Sequence, residues 1–291
     1  MIKDKLKKNA KKIDEYLVSF LNKQKKSLLV TPMKYGIISG GKKIRSTIIL
    51  EVGKLLKVQE KKLISICAAV ECIHSYSLIH DDLPCMDNDI IRRGKPTTHK
   101  KYGEATAVLA GNSLLTLAFE IISDKNNLLS SVQKNEIIYL LSNSSGHTGI
   151  AGGQELDLKF ENKRKNFNQI IDMQRKKTGK LFNFCFQSVA IVANKSKREK
   201  ISLGKLGEEI GLLFQLTDDF LDVKGKQNLV GKPIKKDSKK GKSTLISLKG
   251  YENAFKYAEN LKKKILLNLK KHGKNRHKIT EIIEFISKRT F

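Results

Sequence analysis

Lysine is so frequent in this 291-residue chain that the segments without it stand out. Neither Lys nor Arg occurs in windows 63–91, 102–124, 135–158 and 206–223, and each window carries apolar residues at helical spacing. An unpaired charge is costly to bury, so these windows predict the central helices of the fold. The lysine-rich segments between and outside them predict solvent-exposed surface.

The same periodicity predicts the other elements. Gly40 and Gly41 indicate a turn. Pro84 ends the helix predicted over residues 63–82, and residues 97–101 are expected to form a connection. Residues 224–242 combine many lysines with glycines, which predicts a mobile basic loop rather than a helix. Helices are expected over about residues 3–25, 45–56, 63–82, 104–122, 132–147, 152–160, 167–193, 199–223, 252–271 and 277–289.

Composition favours an all-α protein of one domain. The chain has only four prolines and no tryptophan, and Leu, Ile and Lys are abundant. Residues 1–291 show no repeat, no low-complexity linker and no break in composition. We therefore expect a single all-α domain built as a helical bundle.

The net charge of +28 has two interpretations. It permits binding to nucleic acid or to an anionic membrane surface. It also follows from a composition that scatters lysine over solvated surfaces. We favour this second explanation, because no nucleic-acid-binding motif and no basic strip interleaved with aromatic residues accompanies the charge. On either interpretation the field attracts anionic substrates.

The N-terminal segment and the cysteines indicate a reducing compartment. The sequence MIKDKLKKNAKKIDEYLVSFL lacks the apolar stretch of a signal peptide and is expected to form a surface helix. Cys67, Cys72, Cys85 and Cys185 show no CxxC spacing, and the first two suit buried free thiols. No run approaches the roughly 18 apolar residues of a membrane span, so we expect a cytoplasmic protein.

Three acidic residues crowd together in the first lysine-free window, in the sequence DDLPCMD. Asp81, Asp82 and Asp87 repel one another and need a cationic partner, and a divalent metal is the usual one. Because Pro84 interrupts the helix, we expect the chain to bring Asp87 back towards the acidic pair. Helix ends that reach solvent are the alternative explanation.

A second cluster, DDFLD, lies in the last lysine-free window. Asp218, Asp219 and Asp222 share one face of a helix. Salt bridges to surface lysines are the alternative, but apart from Lys224 at its edge the nearest basic residues lie outside this face. Two such clusters on separate helices predict that they face each other across a bundle and hold Mg²⁺ ions together with a diphosphate.

Basic residues near these clusters suit a diphosphate. Arg92 and Arg93 follow the first cluster directly. Residues 40–45, GGKKIR, lead into a helix where backbone N–H groups and cations can hold a second diphosphate, with a plain surface turn as the alternative. His74 and His80 are equally well explained as core histidines, and we interpret His80 as structural. Further candidates, each weak alone, are Lys177, Thr178, Gln215, Lys232 and Lys242.

Taken together, these segments resemble the bacterial short-chain trans-isoprenyl diphosphate synthase family, in particular its farnesyl type. The similar segments run in the family's order: GGKKIRS, HSYSLIHDDLPCMDNDIIRRGKPTTH, GEATAVLAGNSLLTLAFEI, GIAGGQELDL, KTG, GLLFQLTDDFLDV and GKST. The resemblance implies an isoprenoid synthase fold, an all-α bundle of about ten or more helices around a central cavity. It also implies a Mg²⁺ cofactor with three ions in each active site, and a homodimer.

The resemblance assigns roles to the candidate residues. The metal ligands are Asp81, Asp82, Asp87, Asp218, Asp219 and Asp222. Isopentenyl diphosphate is held by Lys42, Arg45, His74 and Arg93. The allylic substrate and the developing cation are held by Arg92, Lys177, Thr178, Gln215, Lys232 and Lys242. Acting in catalysis are Asp81, Asp82, Arg92, Lys177, Thr178, Gln215, Asp218 and Asp219.

This chain departs from the family's usual GGKRLRP motif at two positions. Lys43 replaces an arginine and Ser46 replaces a proline, while Lys42 and Arg45 are kept. The departures affect the rigidity at the start of this helix more than the chemistry.

The implied reaction joins isopentenyl diphosphate to dimethylallyl diphosphate, and then to geranyl diphosphate, through an allylic carbocation. Tyr76 and Ser77 lie about one helical turn before Asp81, so a bulky Tyr76 floor would stop growth at (2E,6E)-farnesyl diphosphate. An ordinary core tyrosine is the alternative. The basic loop 224–242 is expected to close over the phosphates as a lid.

Three other functions are kept open. The nearest is a geranylgeranyl (C20) or mixed short-chain diphosphate synthase. A terpene cyclase is disfavoured, because its second metal motif differs from DDxxD and it lacks GGKxxR. The most distant is a non-catalytic basic subunit or a nucleic-acid-binding protein.

Overall fold

A computed structural model describes residues 2–38, 40–224 and 241–288. The described residues are almost entirely helical, which confirms the all-α prediction. Contacts between Cα atoms divide the chain into two compact units, one of residues 1–53 and 58–138 and the other of residues 54–57 and 139–291. The single domain expected from the sequence stays a prediction.

The first unit is built on a pair of helices from the lysine-free windows. Its elements are α1 Ile2–Asn22, α2 Val30–Ile38, most of α3 Ile44–Leu55, α4 Ile64–Asp81, α5 Thr98–Tyr102, α6 Glu104–Ser123 and the start of α7 Ser131–Ser145. α4 packs against α6. The centre of α4 is buried on all sides, which explains why it carries so few charges.

A short hairpin follows the end of α4. Strands Ile91–Arg92 and Lys95–Pro96 pair antiparallel, with Arg92 opposite Lys95. Helix α2 was not predicted from the sequence. Proline is tolerated in the first turn of a helix, and Pro32 occupies that position.

The second unit packs α10 Lys180–Val192 against α11 Lys197–Lys224. Phe182, Phe184 and Phe186 are fully buried in its core. Its other helices are α8 Ile150–Lys159, α9 Phe167–Gln174, α12 Leu245–Lys249, α13 Tyr251–Lys270 and α14 His277–Ser287. The helix predicted over residues 167–193 is interrupted by a π-helical turn, Arg175–Gly179, between α9 and α10.

The structure shows where the four cysteines lie and which helix is the most apolar. Cys67, Cys72 and Cys185 are buried and free, and Cys85 is exposed. Among the described residues α6 is long and apolar enough to cross a membrane by length and composition, contrary to the expectation that no run would qualify. Ala107, Ala110 and Leu114 of α6 are buried, and core helices of soluble proteins pass the same test.

Candidate active site

The chain after α4 folds back on the end of that helix. Pro84 follows its last residues, and the backbone N–H of Asp87 donates to the carbonyl of Asp81 at 2.8 Å. The N–H of Asp89 donates in the same way to the carbonyl of Asp82 at 3.2 Å. The predicted return of Asp87 towards the acidic pair is therefore confirmed. The metal-binding role of these carboxylates stays a prediction.

Arg92 is the cation that meets this cluster. Its Nε–H donates to both carboxylate oxygens of Asp82 at 2.8 Å, and Nη2 lies 3.5 Å from Asp89 Oδ2. Burial alone would lower the pKa of Arg92, but the hydrogen bond and charge of Asp82 and the charges of Asp81 and Asp89 raise it. The arginine therefore keeps its charge beside the acidic loop.

Arg93, in the turn of the hairpin, contacts the glycine turn at residues 40 and 41. Its Nη1–H donates to the carbonyl of Gly40. A Cβ on Gly41 would lie 2.6 Å from the Arg93 Cζ, and the φ of Gly41 is +116°, so only glycine suits this position. The structure thus brings together two segments of the predicted isopentenyl diphosphate site that lie about 50 residues apart in sequence.

His74 and Arg45 complete this basic group. Arg45 is buried at the start of α3, and Lys42 is exposed on the turn before it. The pKa of His74 lies well below 6.5 because of burial and the charges of Arg45, Arg93, Arg92 and Lys43. His74 is therefore neutral at neutral pH and presents a polar imidazole among cations.

The two departures from the GGKRLRP motif are structurally anchored. Lys43 is buried, and its Nζ donates to the carbonyl of Ile37 at 3.0 Å and lies 3.1 Å from Asp14 Oδ1. Ser46 donates from N–H at 3.2 Å and from Oγ at 2.8 Å to Glu71 Oε1 on α4. A proline has no N–H for the first of these bonds, so Ser46 ties the start of α3 to α4 in its own way.

The predicted chain-length residues lie on α4 below the acidic pair. Tyr76 is 7% exposed, and burial together with the charge of Asp81 raises its pKa to about 12. Its ring lies 5.8 Å from that of His80, edge to face. Ser77 Oγ donates to the carbonyl of His74 at 3.0 Å. His80 Nε2 lies 3.1 Å from the carbonyl oxygen of Val108, as suits a structural histidine.

The second acidic cluster lies on α11 in the other unit. Asp219 and Asp222 are buried, and Asp218 is half-buried. Asp219 Oδ1 accepts from Gln215 Nε2 at 2.9 Å, and Oδ2 accepts from Gln174 Nε2 at 2.8 Å. Thr178 Oγ1 donates to Gln215 Oε1 at 2.7 Å. Three predicted site residues, Thr178, Gln215 and Asp219, therefore meet in one network.

The π-helical turn holds Lys177 beside an acid that the sequence analysis passed over. Asp157 Oδ2 accepts from Lys177 Nζ at 2.6 Å and from Lys242 Nζ at 3.1 Å. Burial alone would raise the pKa of Asp157, but the two lysines outweigh it and lower the pKa. A Cβ on Gly153 would lie 2.1 Å from the Lys177 backbone nitrogen, so glycine allows the close approach of α8.

Sequence reasoning missed three polar residues here, Asp157, Gln154 and Gln174. All three are buried, and neither amide atom of Gln154 has a hydrogen-bond partner in the described part of the chain. Asp157 lies in a lysine-free window, and an acid in such a window is a signal that could have drawn attention to it. Neutral glutamines give no such signal.

The carboxylates fit Mg²⁺ by donor chemistry, since that ion prefers hard oxygen ligands. Within residues 2–38, 40–224 and 241–288, no three acidic, His or Cys side chains already converge as a metal site. Arg92 and the glutamine amides hold Asp82 and Asp219 instead. The prediction that the two clusters face one another stays a prediction. Lys232 and most of the predicted lid lie outside the described residues.

Comparison with known proteins identifies one family. Residues 26–286 match the family model of polyprenyl synthetase. The chain is 44% identical over 235 residues to farnesyl diphosphate synthase of Escherichia coli, covering 80% of this chain and 79% of that protein. It is 40% identical over 254 residues to farnesyl diphosphate synthase of Micrococcus luteus, covering 87% of each.

Solved structures agree with these sequence relatives. An FPP/GFPP synthase from Zymomonas mobilis superposes with a TM-score of 0.87 at 34% identity, covering 97% of each chain. A geranyltransferase from Helicobacter pylori, complexed with magnesium and isoprenyl diphosphate, gives a TM-score of 0.83 at 32% identity, covering 96% of each chain.

Proposed function

The chain belongs to the polyprenyl synthetase family, and we propose from this premise that it is a Mg²⁺-dependent prenyltransferase forming (2E,6E)-farnesyl diphosphate. It condenses isopentenyl diphosphate with dimethylallyl diphosphate, and then with geranyl diphosphate, and releases diphosphate. One observation carries the proposal: Arg92 contacts Asp82 of the first Asp-rich cluster, and Gln215, which accepts from Thr178, contacts Asp219 of the second. Its sequence relatives from Escherichia coli and Micrococcus luteus are farnesyl diphosphate synthases.

The allylic substrate binds through a set of cationic side chains. Arg92, Lys177 and Lys242 hold its diphosphate, and Lys232 belongs to the same set. Thr178 and Gln215 lie within the network of Asp219 and stabilise the positive charge that develops on the allylic carbon. Asp82 and Asp157 hold Arg92, Lys177 and Lys242 in place until a diphosphate competes for them.

Isopentenyl diphosphate binds through the basic group of the first unit. Lys42, Arg45 and Arg93 supply charge, and His74 supplies a neutral polar contact. A neutral imidazole adds no charge to an already cationic site, yet it can still hydrogen-bond a phosphate oxygen.

The allylic C–O bond breaks and its electron pair leaves with the diphosphate. The double bond of isopentenyl diphosphate forms the new C–C bond to the allylic carbon, and one proton is lost to the departing diphosphate. Apolar side chains must exclude water, which would otherwise quench the cation.

Six carboxylates are proposed as the Mg²⁺ ligands. Held by these side chains, Mg²⁺ would supply positive charge to the departing diphosphate. Three ions in each active site, a homodimer and a cytoplasmic location complete the proposal. The metal-binding side chains are Asp81, Asp82, Asp87, Asp218, Asp219 and Asp222.

Incubation of the purified chain with Mg²⁺, isopentenyl diphosphate and dimethylallyl diphosphate, followed by chromatographic sizing of the products, tests the proposal. A C15 product that requires Mg²⁺ supports it. A C20 product shifts the assignment to a geranylgeranyl diphosphate synthase. Absence of any condensation, together with salt-dependent binding to DNA, would support the non-catalytic basic protein instead.

A further inference from the structure

Gln174 is a buried residue at the end of α9 to which the proposed reaction gives no role. Its side chain is 2% exposed, and its Nε2–H donates to Asp219 Oδ2 at 2.8 Å. Gln215 donates to the other oxygen of the same carboxylate at 2.9 Å. Asp219 is thus held on both oxygens by neutral amide donors.

Helical spacing explains how these groups meet. Gln174 and Thr178 lie four residues apart across the end of α9 and the π-helical turn. Gln215 and Asp219 lie four residues apart on α11. Each pair projects from one face of its segment. Thr178 therefore contacts Gln215, and Gln174 contacts Asp219. The result is a chain of hydrogen bonds from Thr178 through Gln215 and Asp219 to Gln174.

This arrangement carries a cost at Gln174. Its Oε1 is buried and has no hydrogen-bond partner among residues 2–38, 40–224 and 241–288. A buried acceptor without a partner lowers stability, and an apolar side chain of the same volume would avoid that loss. A glutamine kept at such a cost indicates that its donor serves a purpose other than stability.

We propose that Gln174 is a positioning residue, which fixes the carboxylate of Asp219 in the orientation that binds Mg²⁺. This inference rests on the proposed function. A neutral donor suits the task, because a lysine or arginine would neutralise the carboxylate and compete with the metal ion. An amide orients the carboxylate without cancelling its negative charge.

Gln174→Met tests the proposal, because methionine keeps the length of the side chain and removes both N–H donors. Mg²⁺ affinity is measured by isothermal titration calorimetry in the presence of inorganic diphosphate. Gln24→Met is the matched control, since Gln24 Nε2 donates to Glu120 Oε1 at 2.8 Å and its loss removes the same type of bond away from the candidate site.

We expect Gln174→Met to weaken Mg²⁺ binding by about 10- to 100-fold. It should also raise the KM for dimethylallyl diphosphate and leave the KM for isopentenyl diphosphate unchanged. Gln24→Met should match the wild type in all three measurements. Should the methionine variant fail to fold, Gln174→Asn withdraws the donor by one methylene and should show the same weakening.

Wild-type Mg²⁺ affinity in a folded Gln174 variant overturns the inference, even if its Tm falls, because only a structural role would then remain. An equal rise in both KM values also overturns it. A wild-type protein that neither binds Mg²⁺ with diphosphate nor condenses the substrates would instead contradict the proposed function. The two failures are therefore distinguishable.

Discussion

Arg92 donates from Nε to both carboxylate oxygens of Asp82, at 2.8 Å each. An acid proposed to bind Mg²⁺ and a cation proposed to bind diphosphate therefore contact each other directly. When both bind, Asp82 would pair with the metal ion and Arg92 with the diphosphate. Two new ion pairs would then replace the pair that these residues form with each other.

Replacing a carboxylate of either cluster should abolish most of the activity. Asp82→Ala and Asp219→Ala each remove a proposed Mg²⁺ ligand, and we expect kcat to fall by about 100-fold or more. Steady-state kinetics at saturating Mg²⁺ measure the loss, and circular dichroism confirms the fold. The control is Asp172→Ala, an exposed acid on α9 that pairs with Lys176 at 2.8 Å. Near-normal turnover in either cluster variant would refute the metal assignment.

Shortening Tyr76 should lengthen the product. Tyr76 is buried one turn below Asp81, so Tyr76→Ala would open space beneath a growing chain and shift products from C15 towards C20. Product chromatography measures the distribution. Tyr76→Phe keeps the ring and should keep the wild-type product. If the alanine variant also gives the wild-type distribution, Tyr76 does not set chain length.

Asp157 should stabilise the second unit in a pH-dependent way. Its folded pKa lies below 3.8, so its contribution is present above that pH and is lost as pH falls through the folded pKa. Asp157→Asn leaves Lys177 and Lys242 without a shared counter-charge and should cost about 1–3 kcal/mol at neutral pH. Urea unfolding against pH should show the variant and wild type converging in acid. A constant difference at every pH would exclude the linkage.

His74 should make the fold sensitive to mild acid. Its folded pKa lies well below 6.5, so the unfolded chain takes up a proton first as pH falls below 6.5. Stability is therefore lost by about 1.4 kcal/mol for each unit of pKa difference, less an allowance for the partial exposure of the ring. Thermal unfolding between neutral pH and mild acid should show a smaller loss for His74→Gln. The exposed His147→Gln is the control, and a wild-type slope in His74→Gln would contradict the prediction.

The N–H of Ser46 should contribute to stability. Ser46→Pro removes the N–H and both Oγ bonds, whereas Ser46→Ala removes only the Oγ bonds to Glu71 and to the Cys67 carbonyl. We expect the proline variant to be less stable than the alanine variant by about 1–2 kcal/mol, because Glu71 is buried and loses a donor. Urea denaturation measures both. Equal stabilities would show that the N–H bond contributes nothing.

Local pattern was sufficient for most of the helices. The lysine-free windows correctly marked α4, α6 and α11, since interior helices exclude unpaired charge wherever they occur. Pro84 correctly marked the end of α4. Helix α2 was not predicted; its Pro32 lies in the first turn, where proline is tolerated.

The sequence by itself located the two acidic clusters proposed to carry the chemistry, and the helices α4 and α11 that bear them, because acidic clusters and helical periodicity are local properties of the chain. Only the tertiary structure decided which donor meets which carboxylate. Gln174 reaches Asp219, 45 residues away, and Lys242 reaches Asp157, 85 residues away. Such contacts depend on how helices pack, and a π-helical turn that shifts the register of Lys177 and Thr178 leaves no trace in a hydrophobic pattern.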